Sequence, residues 1–98
     1  MKEEDKKMLN KAIDSLGMYT ENQSKVLCEL VNSAVDNTVY IPVAKINQKT
    51  GVTRPTVYAA LNKLMIDGVI QQDRQKKGVF TINQDKIDFI IKSYKKQT

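Results

Sequence analysis

The sequence predicts a mainly α fold with a small β-hairpin, in the order α-α-β-α-α-β-β-α, and three observations predict it. Five segments place apolar residues three and four positions apart, the period of a helix face. Two β-type runs, at 69–73 and 79–82, flank the turn sequence RQKKG, which reads as a hairpin. No internal repeat, low-complexity tract or Pro/Gly/Ser linker interrupts the 98 residues. A single domain over residues 1–98 is expected, with an N-terminal helix in 1–17, a central core in 20–83 and a C-terminal helix in 84–98.

The elements follow in order. Met8, Leu9, Ala12, Ile13 and Leu16 recur at helical spacing before Gly17, which predicts a helix over 3–16 with a charged outer face. A second stripe of Val26, Leu27, Leu30, Val31, Ala34 and Val35 predicts the strongest helix, with N-cap candidates between Thr20 and Ser24. Val39, Tyr40 and Ile41 form a short β-type run ended by Pro42. A short helix over 43–49 turns Val43, Ala44 and Ile46 inward and breaks at Thr50 and Gly51. The next helix, 53–65, is expected to be capped by Thr53. Pro55 sits in its first turn, where a missing N–H costs nothing, and Gly68 ends it. After the hairpin, Ile87, Ile90, Ile91 and Tyr94 predict a last amphipathic helix over 84–96 with lysines in its final turn.

Composition excludes several function classes. The chain is 41% hydrophobic and 28% charged, as in a globular protein, and its longest apolar run is five residues (57–61), far short of the ~20 that span a bilayer. The amino terminus, MKEEDKKML, does not read as a secretory signal, so a cytoplasmic protein is expected. There is no histidine, and the single cysteine, Cys28, is expected to be a buried core thiol. None of the four serines has a recognisable triad context, and no phosphate loop can be built from Gly17, Gly51, Gly68 and Gly78. No enzymatic activity, metal or cofactor is expected.

Charge is unevenly divided. Residues 1–38 carry five Lys against seven Asp or Glu, net −2, whereas residues 39–83 carry seven Lys or Arg against Asp67 and Asp73, net +5. That is the footprint of a surface for a polyanion. The basic stretch also contains two short helices joined by a tight Gly-containing turn, a helix-turn-helix unit whose second helix is presented to a groove ~12 Å wide. Val52, Val57, Leu61 and Leu64 face inward. Thr53, Arg54, Thr56, Tyr58, Ala59, Asn62 and Lys63 remain on the sides open to solvent or DNA. Lys45 and Lys49, on the supporting helix, are expected to be solvated.

The residues from Ala44 to Gly51, the V-T-x-x-T-V of Val52, Thr53, Thr56 and Val57, the spaced Leu61 and Leu64, and D-G-V-I at 67–70 together resemble the winged-helix family of bacterial transcription regulators and plasmid or phage replication proteins. The resemblance covers residues 24–83. It implies a winged helix-turn-helix fold that binds double-stranded DNA, with helix 53–65 in the major groove and the hairpin tip, the wing, on phosphates or the minor groove. The matching wing residues are Arg74, Lys76 and Lys77, and three cations in one tip are well placed to displace condensed counterions.

The sequence-level site is thus Thr53, Arg54, Thr56, Tyr58, Asn62 and Lys63 with Arg74, Lys76 and Lys77. Of the two DNA-binding roles, a transcription regulator is expected first and a plasmid or phage replication initiator second. The rival is a winged helix used for protein–protein assembly, which the basic wing disfavours. The apolar residues of the terminal helices either pack on the domain or form a homodimer seam, and the dimer is expected.

Overall fold

The computed structural model describes residues 3–97. Its elements are α1 (Glu3–Leu16), α2 (Glu21–Ser33), β1 (Thr38–Tyr40), α3 (Val43–Thr50), α4 (Arg54–Ile66), β2 (Ile70–Gln72), β3 (Val79–Ile82) and α5 (Gln84–Gln97). The order is the one the periodicity predicts, and the arrangement is a winged helix.

Helix α2 is the hub, packing against α1, α3, α4 and β1. Thr20 and Gln23 form a capping box at its start: the Gln23 N–H donates to Thr20 Oγ1 (3.2 Å) and the Thr20 N–H to Gln23 Oε1 (3.1 Å). Its stripe Val26, Leu27, Leu30 and Val31 is fully buried. The helix stops earlier than its apolar pattern suggests. Asp36 and Asn37 take φ of 51° and 67°, closing a tight turn in which Val35 and Thr38 exchange backbone hydrogen bonds. Val35 consequently leaves the inner stripe and is 73% exposed.

The sheet is larger than a hairpin. Strand β1 pairs antiparallel with β3, giving the order β1-β3-β2. Within β1 only Val39 is buried, and Tyr40 points to the opposite face. Predicted strand 69–73 shortens to β2, at its start because Val69 is taken into the turn that closes α4. The Val69 N–H donates to the Leu64 carbonyl, the Gly68 N–H to that of Met65, and Gly68 takes a φ of 76°.

The terminal helices pack on each other and on the common core. Leu9 and Ile87 are completely buried, and Ile13, Ile90 and Ile91 nearly so. The residues that suggested a dimer seam are therefore largely spent inside one chain. Lys6 departs from the charged outer face expected of α1. It is buried, and its Nζ donates to the Ala34 carbonyl at the end of α2 (3.0 Å), a cation where the helix dipole favours one. Cys28 is only half-buried, contrary to a core thiol, and burial followed by the Asp14 charge pushes its pKa up.

Candidate nucleic-acid interface

The turn between α3 and α4 is fixed by a local hydrogen-bond set. Gly51 adopts a φ of 75°, allowing its N–H to reach the Asn47 carbonyl (2.9 Å). The Thr50 hydroxyl donates to the Ile46 carbonyl (2.6 Å) and accepts from the Val52 N–H (3.2 Å), while Asn47 Nδ2 donates to the Val52 carbonyl (2.7 Å). These bonds hold Val52 in the core and set where α4 begins. Lys49, expected to be solvated, instead pairs with Glu29 of α2 at 3.2 Å and ties the supporting helix to the hub.

Thr53 occupies the N-cap position of α4, but its side chain does not cap. Its hydroxyl hydrogen-bonds the Thr56 hydroxyl (3.0 Å) instead. The inner face of α4 is Val57, Ala60, Leu61 and Leu64. At about 100° per residue, Pro55, Ala59, Asn62 and Ile66 form the outermost line, with Arg54, Tyr58 and Met65 on one flank and Thr56 and Lys63 on the other. The residues expected to read DNA therefore do not share one face. Lys63 is also partly neutralised, lying 3.3 Å from Asp67.

The Arg54 flank faces the wing. Arg74, Lys76 and Lys77 are exposed at the hairpin tip, where Asp73 Oδ1 accepts from the Gln75 and Lys76 N–H groups (2.8 and 3.0 Å) and shapes the turn. Gly78, with a φ of 79°, closes it, and its carbonyl accepts from the Ile41 N–H (2.9 Å), anchoring the wing root to the end of β1. Among the described residues, Arg54, Arg74, Lys76 and Lys77 enter no ion pair, so four cations on this side remain uncompensated.

Between α4 and the wing lies an open groove of about 610 Å³. Leu61 and Phe80, both buried, and half-buried Met65 contribute its apolar lining, with Arg54, Tyr58, Lys77 and Tyr40 also bordering it. Tyr58 is 61% exposed, so it is not packed beneath the wing. Tyr40, 76% exposed, is the residue that sequence reasoning missed. The signal was present in the alternation of Val39, Tyr40 and Ile41, which turns the tyrosine away from its two buried neighbours.

Farther along α4, Tyr19 from the α1–α2 connection meets Asp67, the C-cap residue. Burial, then the Asp67 charge and its interaction with the hydroxyl, pushes the Tyr19 pKa up to about 12. Asp67 thus links the end of α4 both to Lys63 and to the connection preceding α2.

Compared with known proteins, residues 3–97 match the model of the Firmicute plasmid replication protein (RepL) family. No curated protein and no solved structure matched the chain. With the match spanning nearly the whole sequence, the chain belongs to the Firmicute plasmid replication protein (RepL) family.

Proposed function

We propose that this protein binds double-stranded DNA as part of plasmid replication, with α4 entering the major groove and the wing resting on the backbone. The observation that carries the reading is the set of uncompensated cations, Arg54, Arg74, Lys76 and Lys77, displayed on either side of one groove in a winged helix. Phosphate contacts from the wing would position α4, leaving Thr53, Arg54, Tyr58 and Asn62 to read bases or DNA shape. Thr56 and Lys63, on the far flank, are better placed for the opposite edge of the groove.

Family membership favours replication over the transcription-regulator role expected first. An initiator would occupy arrayed sites at an origin, whereas a regulator would occupy an inverted repeat at a promoter. We read the chain as a binding protein without catalytic chemistry, a reading supported by a sequence with no histidine and no glycine-rich phosphate loop. Among the described residues no helix is long and apolar enough to cross a membrane. A homodimer through the terminal helices would have to use outer positions such as Phe89, which is 66% exposed, because the inner ones are buried between α1 and α5.

The test is a titration against random-sequence duplex DNA at several salt concentrations, with an Arg74→Ala, Lys76→Ala, Lys77→Ala variant alongside. Binding should weaken with salt, and the variant should lower the slope of log K against log salt by about 0.9 for each phosphate it no longer neutralises. No salt-dependent binding at low ionic strength would overturn the DNA reading and favour protein–protein assembly.

A further inference from the structure

We propose that the groove between α4 and the wing holds an unpaired nucleobase of single-stranded DNA, with Tyr40 and Tyr58 as stacking surfaces and Arg54 and Lys77 as phosphate partners. The inference rests on the DNA-binding reading above and goes beyond it, because duplex binding alone gives Tyr40, on the groove's border, no role.

Two tyrosines reach the same groove from distant parts of the chain, Tyr40 from edge strand β1 and Tyr58 from α4. Both keep most of their surface in solvent, at 76% and 61% exposed, so neither is explained by core packing. The lining of Leu61, Met65 and Phe80 is apolar, whereas Arg54 and Lys77 on the border carry uncompensated charge. An apolar bed with aromatic and cationic edges is complementary to a nucleotide, which has a flat π-face and an anionic backbone. A paired base in a duplex shows only its edges in the grooves, and its faces are covered by its neighbours. An unstacked base exposes the face that tyrosine can cover, in any sequence. The volume, about 610 Å³, lies within the range of sites that enclose small organic groups. Strand opening at an origin would supply such bases, and the groove would hold one opened strand.

The experiment titrates the full chain with a short oligothymidylate at low salt, following tyrosine fluorescence, and separately with random-sequence duplex. The expected result is binding with quenching, weakened about fivefold or more by Tyr40→Ala and restored by Tyr40→Phe, which keeps the ring. Because Tyr40 is exposed, circular dichroism should show Tyr40→Ala folded like the parent. Duplex binding without oligothymidylate binding would overturn this inference and leave the replication reading standing. Failure of both ligands would overturn both. Oligothymidylate binding that Tyr40→Ala leaves unaltered would place the single strand elsewhere and reject the groove.

Discussion

Tyr19 shows how one hydroxyl makes stability depend on pH. Its pKa rises from 10.0 to about 12 because burial and the Asp67 carboxylate both disfavour the phenolate. Below pH 10 the folded and unfolded chains both hold the proton, and the contribution to stability is complete. Between pH 10 and about 12 the unfolded chain loses the proton while the folded one keeps it, so stability falls as pH rises. Tyr19→Phe should cost about 0.5–1.5 kcal/mol at neutral pH by removing the Asp67 interaction. It should also make the alkaline decline shallower, as urea midpoints across that window would record. An unchanged decline would assign the alkaline sensitivity to other groups. Cys28 offers a related case: with burial and Asp14 raising its pKa, its thiol should react more slowly than an unhindered cysteine with a thiol-specific reagent near neutral pH. A rate equal to that of a model thiol would contradict the environment described for it.

At the scale of elements, the wing depends on its root. Gly78 holds a φ of 79°, and a Cβ there would lie 3.6 Å from the Ile41 carbonyl oxygen, an ordinary contact. The cost of Gly78→Ala is therefore backbone strain rather than a clash, about 1–2 kcal/mol. Because this glycine closes the hairpin beside Lys77, the variant should also weaken duplex binding, whereas a loss of stability alone would show that the wing tolerates a shifted root. Helix α4 illustrates a different point. Its start is set by the Gly51 turn and its end by the Gly68 motif, so its rotation is dictated by neighbours rather than by the Thr53 side chain. That rotation puts Arg54 and Tyr58 toward the wing.

For the molecule as a whole, the radius of gyration of 12.6 Å matches the ~13 Å expected of a compact chain of this length. The terminal helices share one core with the helix-turn-helix and the sheet, from Leu9 in α1 to Ile87 in α5. Leu9→Ala should then cost about 2–5 kcal/mol, although it lies far in sequence from the proposed interface. Denaturation followed by circular dichroism and by tyrosine fluorescence should give one coincident transition. Separate transitions would mean that α1 and α5 form an independent unit.

The local chemistry of the sequence was sufficient for the five helices, the turn at Gly51 and the basic wing. Periodicity and positive-φ glycines act over a few residues, and a hairpin tip with three cations has nowhere to go but solvent. The same local view fails where a side chain's role depends on a distant partner. Residue type makes Thr53 a cap, yet Thr56 takes its hydroxyl. Lys49 finds Glu29, and Lys6 finds the Ala34 carbonyl, across separations that no helical pattern encodes. The groove is the clearest instance. Tyr40, Tyr58 and Lys77 come from β1, α4 and the wing tip, spread over nearly forty positions. The pairing of β1 with β3 and the anchoring of Gly78 on Ile41 bring Tyr40 and Lys77 together, and the packing of α4 on α2 and α3 sets Tyr58 at the same opening.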